Sequence, residues 1–273
     1  LEPHRGLHED VLHREIDGSP KRSLGLTSAL LSRARRRDIE AIRGLTDRPC
    51  SAISGNSSYT AARIGEVYGV EAGVLLPSVV SDEFPAKAGS DEPTESQDIV
   101  APYSVSVGRA GWVKGTWETV SMLSGSGISL AHVGGGAGED LARLTQHAES
   151  CGVGLWVAPR LSSPEMAALI RSARAVVSMA HGEPFGLTPV EAISVGTPAL
   201  MVDEGGFRDT VIDGVNGRLL PRDDLGAWHS ALEQVADGGT RTAWAESGRA
   251  RIAEMDLSPD THCRRLESIL GHL

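Results

Sequence analysis

Several signals of specialised protein classes are missing from this chain. Aromatic residues fill only 4% of its 273 positions. Its three cysteines, Cys50, Cys151 and Cys263, lie too far apart for metal-ligand spacing and read as reduced thiols. No run of about 18 apolar residues occurs, so no membrane-spanning helix is expected. Basic residues are outnumbered 26 to 36, and the formal net charge of −10 argues against a dedicated nucleic-acid binder. Repeats and low-complexity tracts are absent. The opening Leu1-Glu-Pro-His4 shows no secretion signal and starts at Leu rather than Met, so a piece of a longer, cytoplasmic protein is expected.

What is present suits an ordinary globular protein. Apolar residues make up 40% of the chain, and its length allows two modest domains. The charge is uneven: residues 1–50 hold ten Lys/Arg against eight Asp/Glu, and the remainder sixteen against twenty-eight. The basic excess gathers at Arg33-Ala-Arg-Arg-Arg37, which reads as a solvated helix face or as a peripheral contact with anionic lipid at the inner membrane face. His4, His8 and His13 lie close together, but no acid or Cys partner completes a metal set.

Apolar runs alternate with helical patterns through the second half. The strand candidates are Tyr103–Val107, Ile128–Val133, Gly154–Val157, Ala175–Met179, Ala199–Val202 and Arg218–Leu220. Helices are expected between and after them, at 140–150, 164–171, 225–235, 240–255 and 259–270. This alternation predicts an α/β fold with a doubly wound parallel sheet. Upstream, 23–43 reads as a helix, and Ser57 or Ser58 as the N-cap of another. The stretch 82–99 is acidic and rich in Pro, Ser and Gly, as a linker would be.

The densest chemistry sits at Ala180-His-Gly-Glu-Pro-Phe-Gly-Leu-Thr-Pro-Val-Glu191. Glu183 falls in a loop at a strand's carboxyl end, where open α/β sheets take ligands. Glu191 follows eight residues later, about two turns into a helix that is expected to start near Phe185. The free amides of Phe185 to Thr188 would face the same crevice, with partial positive charge suited to phosphate. Two carboxylates bracketing an anion site suit a nucleotide sugar. Val107-Gly-Arg-Ala-Gly-Trp-Val-Lys-Gly115 follows another strand, where Gly108 permits a tight exit and Arg109 and Lys114 can neutralise a diphosphate.

These residues resemble the retaining GT-B glycosyltransferases of the family 4 type (group 1). The likeness runs over Glu183-x7-Glu191 with Phe185-Gly186, the "GR…KG" element at 108–115, and Gly205-Gly206 after the next strand. Asn56-Ser57 through Pro77-Ser78 is similar to the passage that closes the family's N-terminal domain. The resemblance implies a domain plan of 1–81 as the end of the acceptor-side domain, 82–99 as linker, 100–256 as donor-binding domain, and 257–273 as a helix returning to the first.

It also implies roles. Glu183 would contact the transferred sugar as the catalytic residue, and Glu191 the nucleotide ribose. Arg109 and Lys114, with the backbone of Gly186 and Leu187, would hold the diphosphate. Arg160 would stand near the base. Gly108, Phe185, Gly205 and Gly206 would offer backbone contacts to sugar and phosphate. The implied partners are a nucleotide-sugar donor and a carbohydrate, lipid-linked or small-molecule acceptor, with neither metal nor cofactor and no nucleic acid. The implied reaction is hexose transfer with retention. Two alternatives stay open: a nucleotide-sugar-binding module without turnover, and another GT-B activity such as a phosphorylase or epimerase.

Overall fold

The computed structural model describes residues 1–79 and 99–271; all but the last residue of the expected 82–99 linker lies outside the described residues. The N-terminal segment holds α1 (Arg5–His8), a 3-10 turn at Val11–His13, α2 (Leu24–Thr46), β1 (Ser54–Gly55), α3 (Ser58–Tyr68) and β2 (Gly73–Val74). Ser23 caps α2 by accepting from the Leu26 amide, and Ser57 caps α3 by accepting from Thr60. Gly69 ends α3 in the left-handed region, which costs glycine no Cβ clash. β1 and β2 pair in parallel, Ser54 beside Gly73.

The remainder is built on one parallel sheet. Its strands are β3 (Tyr103–Val107), β4 (Ser129–Val133), β5 (Leu155–Val157), β6 (Val176–Ser178), β7 (Ala199–Val202) and β8 (Gly217–Leu220). They match the expected runs to within a residue at each end, and their spatial order is β5-β4-β3-β6-β7-β8. Intervening helices are α4 (Thr116–Leu123), α5 (Gly138–Cys151), α6 (Ser163–Ser172), α7 (Leu187–Ser194) and the single turn α8 (Phe207–Thr210). After the sheet come α9 (Leu225–Gln234), α10 (Gly238–Met255) and α11 (Pro259–Gly271). α4, α5 and α9 form one packed group, and α6, α7 and α10 another. Right-handed crossovers that run one way from β3 and the other way from β6 put helices on both faces. The sheet is therefore covered on both sides, which is why successive residues of its central strands are buried whichever face they point to. Val105, Leu130, Ala131, Val176, Val177, Leu200 and Met201 are all fully buried.

That order places the switch point between β3 and β6, whose pairing sets Val105 beside Val176. Ligands of doubly wound sheets bind outside the strand carboxyl ends there. The two loops of greatest chemical interest, 108–115 and 180–186, leave these two neighbouring strands.

The polar first twenty residues contain a docking turn. Ile16 is 2% exposed and belongs to the main core. Arg143 of α5 pairs with Asp17 at 2.6 Å and with Glu15 at 3.4 Å. Gly18, at φ +82°, lies flat against the Trp112 ring. At the other end, His262 Nδ1 of α11 is 2.7 Å from the Leu76 carbonyl, and the Val79 amide donates to the Leu257 carbonyl.

Candidate functional site

The exit from β3 is held backbone to backbone against the exit from β4. The Gly108 amide donates to Val133 O at 2.8 Å and Ala110 to Gly135 O at 2.8 Å. A Cβ on Gly134 would lie 2.5 Å from the Gly108 carbonyl oxygen, so the glycines of 133–136 serve close packing here. Beyond this point Arg109 is exposed, with no hydrogen bond or ion pair among the described residues. A 3-10 turn at Trp112–Lys114 then delivers Lys114, and Gly115 at φ +61° presses against the end of β6.

From β6 the chain enters Ala180–Gly186. Lys114 Nζ reaches Glu183 Oε2 at 2.7 Å, with the two side chains 35% and 19% exposed. The structure thus brings together two of the four charged groups expected at the crevice. Gly186 sits at φ +86° over the Phe207 ring and caps α7, which starts at Leu187. The helix was expected to begin near Phe185. Instead that side chain turns inward at 3% exposure and packs with Val190, Met255 and Leu257, and α7 starts two residues later, at Leu187. Leu187 itself is 45% exposed. Glu191 lies half-buried on the second turn of α7.

The other residues expected at the site lie around the Glu183 loop and beyond β5. Gly205 and Gly206 pack on the backbone of Gly182–Phe185, where a Gly205 Cβ would lie 2.6 Å from the Glu183 nitrogen. The Gly206 amide already donates to the Glu183 carbonyl at 2.6 Å, so it braces the loop. Arg160 is exposed beyond β5, the sheet's edge strand, two strands from β3. His8 Nε2 is 2.7 Å from Asp38, and His13 Nε2 is 2.8 Å from Gly6 O. Among the described residues, no group of three or more His, Cys, Asp or Glu side chains is placed to hold a metal ion. Cavities of about 270 and 500 Å³ lie at the opposite end of the sheet, lined in part by Pro102, Arg174 and Ala236.

Beneath Glu183 runs a charge network that no motif announced. Arg222 donates to both oxygens of Glu204, at 2.9 and 2.8 Å, to Glu118 at 3.0 Å and to the Met179 carbonyl at 2.8 Å. His181 Nε2 is 2.8 Å from the other Glu118 oxygen, and its ring stacks on Trp112 with centroids 4.4 Å apart. Burial pushes the Glu204 pKa up, but the Arg222 hydrogen bonds and charge outweigh it, leaving the carboxyl below its usual range. Arg222 so ties the end of β6 to the loop after β7. From the N-terminal segment, Ser57 Oγ and Thr60 Oγ1 both donate to the Pro184 carbonyl, the latter at 3.1 Å. The Ser58 amide donates to Asp209 at 2.7 Å, and Arg5 donates to the His181 carbonyl at 2.5 Å.

The doubly wound parallel sheet, with a lysine–glutamate pair across its switch point, is an α/β fold of the GT-B type. The chain belongs to the family "Glycosyl transferases group 1", whose profile matches residues 95–251, more than half of it. A D-inositol 3-phosphate glycosyltransferase of Xylanimonas cellulosilytica is 31% identical over 191 residues, covering 65% of this chain and 46% of the relative. An alpha-1,3/1,6-mannosyltransferase of Neurospora crassa is 37% identical over 107 residues, or 38% of this chain and 23% of that protein. The chain spans under half the length of these relatives. The Anabaena protein HepE, solved with UDP, superposes with a TM-score of 0.72 at 19% identity, over 87% of this chain and 68% of that one. Sucrose-phosphate synthase from Thermosynechococcus elongatus gives 0.71 at 20% identity, over 87% and 61%. At such identities the likeness is one of fold.

Proposed function

We propose that this chain carries the donor site of a hexosyltransferase that uses a nucleoside-diphosphate sugar and retains anomeric configuration. The observation that carries the reading is the Lys114–Glu183 contact across the β3/β6 switch point, beside exposed Arg109 and the amino end of α7. One sign of charge there suits diphosphate and the other suits sugar hydroxyls. Residues 100–256 would form the donor-binding domain, with 1–81 as acceptor side, 82–99 as linker and 257–273 as the returning helix.

In this reading Arg109, Lys114 and the Gly186, Leu187 and Thr188 amides hold the diphosphate. They gain most as its charge grows in the transition state. Glu183 orients the sugar and Glu191 the ribose. The acceptor oxygen bonds to the anomeric carbon on the face from which the diphosphate leaves. The sugar–phosphate bond breaks, and the acceptor proton passes to the departing phosphate oxygen. The acceptor is a carbohydrate, a lipid-linked sugar or a small polyol, and the protein works in the cytoplasm.

Two titrations test the assignment. A thermal-shift panel of UDP, GDP, ADP and dTDP sugars should pick out one nucleotide, since a ligand that binds the folded state raises its stability. Calorimetry on Glu191→Ala should then show weakened nucleoside-diphosphate binding, and unchanged affinity would defeat the ribose assignment. Donor binding without transfer or donor hydrolysis would make the chain a binding module.

A further inference from the structure

The long helix α2 is packed on one side only. Arg35 on its inner side donates to the Leu7 carbonyl and, at 2.8 Å, to Ser28 Oγ. Asp38 takes hydrogen bonds from His8 at 2.7 Å and Tyr68 at 2.9 Å, and Arg43 donates to the Tyr68 carbonyl at 2.6 Å. These bonds tie the helix to α1 and α3. On its outer side Leu26, Leu30, Arg33 and Arg37 recur at i, i+4, i+7 and i+11, so they form a single stripe. Leu26 is 60% and Leu30 73% exposed. Arg33, Arg36 and Arg37, with Lys21 and Arg22 just before the helix, are exposed and have no ion-pair partner among the described residues.

We propose that this face of α2 docks on an anionic phospholipid surface. Charge complementarity selects the occupant. Residues 21–46 hold seven Lys/Arg against two Asp/Glu, while the rest of the chain holds nineteen against thirty-four. An anionic membrane therefore attracts this stripe and repels most other faces, which fixes the approach as well as the affinity. The exposed leucines supply the second signal that stable interfacial binding needs: they enter the headgroup boundary while the arginines stay at phosphate level. A nucleic-acid backbone would match the arginines but give the leucines nothing to bury in.

The test is co-sedimentation of the chain with phosphatidylcholine vesicles and with vesicles about one-third phosphatidylglycerol. Partition onto the anionic vesicles alone is expected, with release near 1 M salt, where the screening length falls to about 3 Å. Arg33→Gln/Arg36→Gln/Arg37→Gln should weaken it on the order of 100-fold. Leu26→Ser/Leu30→Ser should weaken it on the order of 10-fold or more while keeping the salt dependence. Both variants change exposed side chains, so melting temperature and nucleoside-diphosphate binding should match the parent; this separates the surface from the donor site. Equal binding to neutral vesicles, no binding to either, full retention by the arginine variant, or tighter binding to a DNA duplex would each overturn the proposal.

Discussion

Replacing Glu183 by Gln should strengthen the binding of a nucleoside diphosphate that lacks its sugar. Without ligand the carboxylate sits 2.7 Å from Lys114 and occupies the cation that the diphosphate needs. A gross Coulomb term of about 6 kcal/mol at an effective dielectric of 20 is mostly cancelled by solvent and side-chain entropy. Such a partly exposed pair nets about 0.2–1 kcal/mol. A diphosphate must displace or share that contact, so removing the competing charge should tighten binding about 1.4- to 5-fold. The gain should shrink as salt rises, because screening weakens the competition. The full sugar nucleotide should not gain, since its hydroxyls lose a carboxylate acceptor, and transfer should fall. Isothermal titration with the best-binding nucleoside diphosphate, at low and high salt, measures this. Weaker diphosphate binding in a folded Glu183→Gln protein would refute the argument, because Glu183 would then be aiding phosphate rather than competing for its cation.

Arg222→Met removes the partner of two half-buried carboxylates and should cost about 2–4 kcal/mol in urea unfolding; a loss below ~1 kcal/mol would show that solvent already screens Glu118 and Glu204. Gly115→Ala places a methyl group against the Met179 carbonyl at φ +61° and should destabilise by ~2 kcal/mol or more. It should also weaken diphosphate binding through displacement of Lys114, and unchanged affinity would show that the turn does not set the lysine. Burial holds the His132 imidazole below its ordinary pKa, while the Gly135 carbonyl pulls the other way. As pH falls below about 6.5 the unfolded chain takes up this proton before the folded one does. His132 therefore withholds nothing above that pH and destabilises progressively below it, by up to about 1.4 kcal/mol per pH unit until the folded pKa is reached. His147, also lowered by burial, acts with the same sign. Denaturant titrations between pH 7 and 5 should show a shallower pH slope for His132→Asn, and an identical slope would refute the assignment.

Much of this architecture could be read along the chain. The six runs became six parallel strands because each is short, largely apolar and followed by a helix-compatible stretch, as suits a sheet covered on both faces. Ser57, Gly69, Ser162 with Glu165, and Gly152 ended or started their helices as local chemistry requires, within a few residues of themselves. The start of α7 departed from expectation by two residues because Phe185 had a core to enter beside Met255 and Leu257, and burial outweighed helix extension.

The positions of Arg109, Lys114, Glu183 and Glu191 at loops and helix starts were likewise legible, since residue type and spacing mark them without reference to distant chain. Their neighbours were not. Arg222 meets Glu118 across 104 positions, Ser57 meets the Pro184 carbonyl across 127, and Arg143 meets Glu15 across 128. Ile16, set among polar residues in the sequence, is part of the core. Periodicity and capping report on contacts a few residues apart, where the backbone geometry is already set. Pairings over a hundred residues apart exist only once the sheet order has brought β3 beside β6, so which charges brace the Glu183 loop was a decision of the tertiary fold.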